Sequence, residues 1–188
     1  YKAGASNLIG TSNICCVFTD SRNNTWLGAD KDGIYCLDDH GNLVRHYYEG
    51  VPSTVLTICE DESGHIWIGS YGEGGGWIDP RTSIYHPINN DSYGYFSITD
   101  YVADAEGRIW AGTMGNGLLL IDRKGNVARQ FRSGDDDGLS QDFIPQLALS
   151  EDGHRLYVAT SYGLNCLDLE NMRWNGIFDG NCLLSGAN

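Results

Sequence analysis

The sequence predicts an all-β chain built as a β-propeller of four four-stranded blades, a segment of a larger array. Three observations lead there. One pattern recurs four times, as DSRNNTWLGADKDGIYCLD (20–38), DESGHIWIGSYGEGGGWID (61–79), DAEGRIWAGTMGNGLLLID (104–122) and EDGHRLYVATSYGLNCLD (151–168). Its central aromatics, Trp26, Trp67, Trp110 and Tyr157, stand 41, 43 and 47 residues apart, and a fixed period of this size marks solenoids or propellers. The apolar residues around each aromatic run on without alternation, as in Ile66-Trp67-Ile68-Gly69 and Leu156-Tyr157-Val158-Ala159. Neighbouring strand residues point to opposite sides, so both faces of such strands must be covered. No stretch carries a helical period long enough to supply the cover, which leaves sheet packed on sheet around a hub.

Each copy then divides into four short strands, expected in the first near 14–19, 24–29, 33–38 and 43–48. Between the first and second strands stand Asp61-Glu62-Ser63-Gly64 and Asp104-Ala105-Glu106-Gly107. Asp accepts hydrogen bonds from backbone amides ahead of it, and Gly takes positive φ freely. Asp38-Asp39-His40-Gly41-Asn42 and Asp122-Arg123-Lys124-Gly125-Asn126 do the same before the outer strand. The small residue two beyond each aromatic (Gly28, Gly69, Gly112, Ala159) shares the aromatic's face and lets a neighbouring blade approach. With the aromatics, these glycines are the anchors of the repeat. Gly72-Glu73-Gly74-Gly75-Gly76 reads as a hairpin with a bulge before Trp77, since no Lys-Ser/Thr follows to make it a phosphate loop.

The resulting division is 13–53, 54–94, 95–138 and 139–181 for the four blades. Residues 1–12 form the tail of a preceding blade and 182–188 the lead-in to another. Asn7–Ile14 resembles the linker Gly138–Ile144, and Leu183–Asn188 resembles a further lead-in, so the chain is expected to be excised from a longer array. Such an array exposes an apolar face at each end unless more blades or a second chain cap it.

Composition removes several function classes. With 12 Lys and Arg against 25 Asp and Glu, the formal charge is −13, whereas phosphate contacts need clustered cations; nucleic acid and anionic membrane are excluded as partners. No apolar run reaches the ~20 residues of a membrane span, so no direct membrane insertion by this segment is expected. Six cysteines (15, 16, 36, 59, 166 and 182) form no C-x-x-C pair and read as small buried thiols, with a disulfide left open. Five histidines (40, 46, 65, 86 and 154) show no metal-ligand spacing; His65 and His154, beside turn glycines, read as turn-exposed. Asp135-Asp136-Asp137 lacks the spacing of a Ca²⁺ loop and reads as a solvated loop. No G-x-S-x-G elbow is present, and nearly every repeated acid has a turn to stabilise. No catalytic residue, metal or cofactor is expected; the alternative is a propeller lyase or glycosidase, or a purely structural or dimerisation propeller.

The pattern of an acid, a turn, Gly-x-apolar-Trp-apolar-Gly-Thr/Ser and then Gly-Leu/Ile-x-x-apolar-Asp resembles the two-component regulator propeller repeat. The resemblance is sharpest in Ile66–Ser70 and Ile109–Thr113. Phe131–Ser140 is similar to the family's spacer before each new blade. Copy four departs most, with Tyr157 for Trp and Ala159 for Gly. The sialidase-type turn motif fits less well, because Asp61 and Asp104 stand six residues before Trp rather than five.

The resemblance implies a periplasmic sensor region of a hybrid two-component histidine kinase, found in gut Bacteroidetes, with seven-bladed propellers and a phosphorelay beyond the membrane. It also implies an oligosaccharide ligand, the remaining blades of the parent as partners, and a homodimer of that parent. Repetition marks the core and its absence frees a residue for recognition. Tyr71, Tyr93, Tyr95, Tyr101 and Tyr162 break the repeat in or near loops and are the candidate ligand-binding residues, their ring faces suited to the CH faces of sugars.

Overall fold

A computed structural model describes residues 13–88, 96–134 and 138–178. It contains sixteen strands and four antiparallel sheets. The first sheet is β1 (Ile14–Thr19), β2 (Thr25–Ala29), β3 (Ile34–Leu37) and β4 (Leu43–Tyr47). The second is β5 (Val55–Glu60), β6 (Ile66–Ser70), β7 (Gly75–Asp79) and β8 (Ile84–Pro87). The third holds β9 (Ile98–Ala103), β10 (Ile109–Thr113), β11 (Leu118–Ile121) and β12 (Val127–Phe131). The fourth holds β13 (Gln146–Leu149), β14 (Arg155–Thr160), β15 (Gly163–Asp168) and β16 (Arg173–Phe178). Strands pair in chain order within each sheet, and β1, β5, β9 and β13 contact one another in succession. First strands therefore lie at the hub and fourth strands on the outer circumference. This is the β-propeller arrangement that the repeats predict.

The doubly apolar second strands explain the stacking. Trp26, Trp67 and Trp110 each face the following blade, while the residues beside Trp67 and Trp110 face the preceding one. Three cores result. Trp26 and Ile34 meet Val55, Ile58, Ile66 and Ile68 of the second blade. Trp67 meets Ile98, Tyr101, Ile109 and Leu119 of the third. Trp110, Leu118 and Phe131 meet Leu147, Leu156 and Val158 of the fourth. All three indoles are essentially fully buried. At about 25 cal/mol/Å² and roughly 150–250 Å² per aromatic, each contributes about 4–6 kcal/mol of transfer free energy.

The glycines two beyond the tryptophans sit where the next blade presses closest. A Cβ on Gly28 would come within 2.8 Å of Val55 Cγ1, one on Gly69 within 2.7 Å of Ile98 Cγ2, and one on Gly112 within 2.8 Å of Ile144 Cγ2. The partner is always the residue that opens or introduces the next inner strand.

Blade two differs from its siblings, and two expectations are corrected here. The register between β6 and β7 is unbroken, with Trp67 opposite Trp77 and Gly69 opposite Gly75, so there is no bulge before Trp77. Gly75 and Gly76 are strand residues where the other blades carry large side chains. Tyr101 supplies the missing volume: it is 4% exposed, packs edge-on against Trp67 at 5.9 Å between centroids, and its hydroxyl lies 2.5 Å from where a Gly75 Cβ would be. Tyr101 is therefore a core residue of β9 and not a loop residue open to ligand. Its equivalents Ile58 and Leu147 face Ile34 and Leu118, so a small residue on one blade is matched by a large one on the next.

Gly112→Val forces a side chain into Ile144 and is expected to cost roughly 1–3 kcal/mol or more through overpacking. Thermal unfolding checks this; an unchanged melting temperature contradicts the packing.

Candidate functional site

The turns between first and second strands are built around one carboxylate each. Asp20 Oδ1 accepts from the amides of Arg22 (2.9 Å) and Asn24 (2.8 Å), and its Oδ2 accepts from the Trp26 indole N–H (2.9 Å). Asp61 serves Ser63, His65 and Trp67 in the same way, and Asp104 serves Glu106, Arg108 and Trp110. The left-handed turn position falls on Gly64 (φ 78) and Gly107 (φ 70), and in the first blade on Asn23 (φ 64). In blade four Ser150 takes the acid's place, its hydroxyl accepting from the Arg155 amide at 2.9 Å, and the aromatic there is Tyr157, which has no indole donor. Sequence reading assigns these acids to their turns but misses the second partner, the tryptophan. The sign was the constant six-residue Asp-to-Trp spacing in three copies.

These acids and the histidines around them are thereby committed to structure. His65, expected in an exposed turn, is half-buried: it bonds Asp61 at 3.1 Å and tilts against Trp77 at 4.3 Å. Trp77 also stacks on His86 at 4.0 Å. His46 Nε2 lies 2.7 Å from the Asp32 carbonyl, the same closure that Gln130 Nε2 makes to Asn116 at 2.8 Å. Cys15 is exposed, correcting the expectation that all these thiols are buried, while Cys36 and Cys166 are buried. Cys182, Tyr93, Tyr95 and the run Asp135–Asp137 lie outside the described residues. Among the described residues no group of three metal-ligating side chains comes together.

Several exposed aromatic and apolar side chains gather on one rim. The second-to-third-strand turns of successive blades share that rim with the linkers between blades. Tyr71 N donates to Thr54 O (3.0 Å), Met114 N to Ser97 O (3.0 Å) and Gly117 N to Asp142 O (2.9 Å), tying each turn to a linker. Exposed on these segments are Tyr71 (59%) and Tyr162 (73%), together with Met114 and Phe143. Sequence reading names the two tyrosines and misses Met114 and Phe143, whose exposure depends on the linker crossing beside the turn. Their ring faces and thioether can pack against a flat, weakly polar ligand surface.

At the hub, Asp100 joins three blades. It accepts from Thr57 Oγ1 of blade two (3.2 Å), from its neighbour Tyr101 N (2.9 Å) and from Leu147 N of blade four (2.8 Å). Burial raises its pKa above the ordinary 3.8 and outweighs these three bonds. At Asp20 burial also pushes upward, but the bonds from Trp26, Asn24 and Arg22 together win and hold the carboxyl below 3.8.

A chain of repeated blades with buried tryptophan wedges and an aromatic rim defines a propeller of the scaffold-and-loop kind. Residues 50–72 match the two component regulator propeller family model. Among solved structures it is similar to the extracellular domain of BT3049 of B. thetaiotaomicron, described as a hybrid two component system (TM-score 0.78, 21% identity, 92% of this chain and 23% of that one). It is also similar to the extracellular domain of BT4673 of the same organism (0.69, 18%, 90% and 26%). A third likeness is to PorZ of Porphyromonas gingivalis, a surface component of the type-IX secretion system (0.65, 19%, 81% and 25%). The chain spans about a quarter of the length of these structures. No curated protein matches its sequence.

The two carboxylates have opposite signs of linkage. Asp20, with its depressed pKa, contributes stability that is complete above 3.8 and is lost as pH falls through its folded value. Asp100, with its raised pKa, favours the fold most when protonated and loses that contribution as pH rises from 3.8 through its folded value. Carboxyl-detected NMR titration should place the Asp20 midpoint below 3.8 and that of Asp100 above it; the reverse order contradicts the assignment.

Proposed function

We propose that this chain is part of the extracellular, periplasm-facing sensor region of a hybrid two-component system, in which it takes part in binding a ligand and passing the signal on. The observation that carries this reading is the regulator-propeller repeat at residues 50–72, set in a fold shared over 92% of the chain with an extracellular domain of that class. No helix among the described residues is long and apolar enough to cross a membrane. The segment acts as a non-catalytic scaffold.

Further blades of the parent complete the array. Val17 on β1 is 64% exposed, while its equivalents Ile58, Tyr101 and Leu147 are 8%, 4% and 5% exposed against a preceding blade. A preceding blade seated on β1 would cover Val17 in the same manner. Signalling then runs through a dimer of the parent, with the blades as rigid spacers that fix where the rim loops stand.

The ligand is an oligosaccharide docking on the rim that carries Tyr71 and Tyr162. Both tyrosines are exposed, so truncation should leave the fold intact. Calorimetric titration of the full ectodomain with host- and plant-polysaccharide digests finds the ligand. Tyr71→Ala and Tyr162→Ala are then expected to weaken it about fivefold or more, as loss of an aromatic stacking contact of about 1 kcal/mol implies. Unchanged affinity in both variants removes the rim from the binding site.

A further inference from the structure

The cleft between blades one and two is unlike those that follow it. At the place where blade two carries Trp77 and blade three Leu120, blade one carries Cys36. Trp77 and Leu120 pack into their clefts, the first in contact with two histidines. Cys36 does not fill its own, and a cavity of about 160 Å³ opens beside it, with Pro80 and Ser83 of blade two forming the far wall. At ~30 Å³ per water this space corresponds to about five waters, well under the 300 Å³ where drug-sized pockets begin. It suits a small molecule or a single terminal group.

The lining has a definite chemistry. Arg22 and Arg45 both border the cavity. In a chain with 25 acids against 12 cations, several cations elsewhere are ion-paired, as Arg108 is with Asp104 and Glu106, and Arg81 with Asp79. Arg22 and Arg45 lack such a partner: among the described residues no ion pair engages either guanidinium. Arg45 lies 5.7 Å over the Tyr47 ring, which fixes its approach without neutralising it. The nearby acids are occupied, Asp20 by its turn and Trp26, and Glu60 by the Ser21 amide and hydroxyl at 2.6 and 2.8 Å. Asn24 gives its amide N–H₂ to Asp20 at 2.9 Å, which leaves its carbonyl oxygen as an acceptor at the cavity wall. Burial and the charge of Asp20 push the Cys36 thiol up to about 11, so the floor is neutral.

We propose that this cleft is a binding site for a small carboxylate no larger than one sugar ring, such as a uronate terminus. Arg22 and Arg45 take the carboxylate by charge-assisted hydrogen bonds. The Asn24 side-chain carbonyl accepts from one of the ligand's hydroxyls. The site lies wholly between two blades of this chain and does not rest on the sensor reading. Because both guanidinia are on the exposed side, affinity falls as salt screens them.

The test is a titration of the 188-residue chain with sodium glucuronate, acetate and glucose at matched ionic strength, followed by ¹H–¹⁵N NMR at the Trp26 indole and the Arg45 Nε–H. Glucuronate and acetate should give saturable shifts there, and glucose none. R22Q/R45Q should weaken glucuronate by about tenfold or more, as loss of charge-assisted bonds implies, while Lys124→Gln, a cation removed from blade three, should leave it within about twofold. Glucose shifting the same resonances equally, glucuronate shifting neither, or Lys124→Gln weakening binding as much as the double variant each overturns the proposal.

Discussion

One bond recurs in three blades and organises the rest: a turn carboxylate holding the indole N–H of the tryptophan six residues on. A buried indole with no partner for its N–H carries a desolvation cost of about 1–3 kcal/mol. A buried carboxylate with too few donors costs more. Placing both in one hairpin satisfies them together, and fixes the rotamer of the side chain that fills the space to the next blade. The turn, the second strand and the inter-blade core are therefore one cooperative unit. Blade four shows the coupling by its exception, since Ser150 and Tyr157 replace acid and indole together.

The period, the strand positions and the turn acids were open to sequence reading because they depend on local chemistry repeated four times. The observed β1–β4 boundaries differ from expectation by a residue or so. What escaped depends on residues distant in the chain. Tyr101 looked free because it breaks the repeat, yet it breaks it to fill the space over Gly75 in the adjacent blade. The expected bulge at Gly74–Gly76 failed for the same reason: those glycines make room for neighbours, not for an extra residue. His65 looked turn-exposed because the side chain it tilts against, Trp77, stands at a repeat position where the other copies carry smaller residues. A departure from a repeat thus has two physical meanings, compensation across a cleft or release to the surface, and only the facing blade separates them.

That distinction also organises the candidate sites. Tyr71 and Tyr162 depart from the repeat on turns where their side chains are exposed. Cys36, small like Cys166 at the same place in blade four, leaves its cleft unfilled, with two arginines at its mouth that no ion pair engages among the described residues. The scaffold is uniform where blades touch and variable at the rim and in one cleft, which is how a repeated fold accommodates recognition without losing its core.

A double-mutant cycle on Asp104 and Trp110, using the Ser and Tyr of blade four as replacements, tests the central bond most directly. Urea unfolding of D104S, W110Y and the pair gives the three free energies. If the carboxylate–indole bond locks the hairpin, the double variant loses less than the sum of the singles by about 1 kcal/mol or more. Losses that add to within about 0.3–0.5 kcal/mol contradict it and return the tryptophans to the role of simple hydrophobic filler.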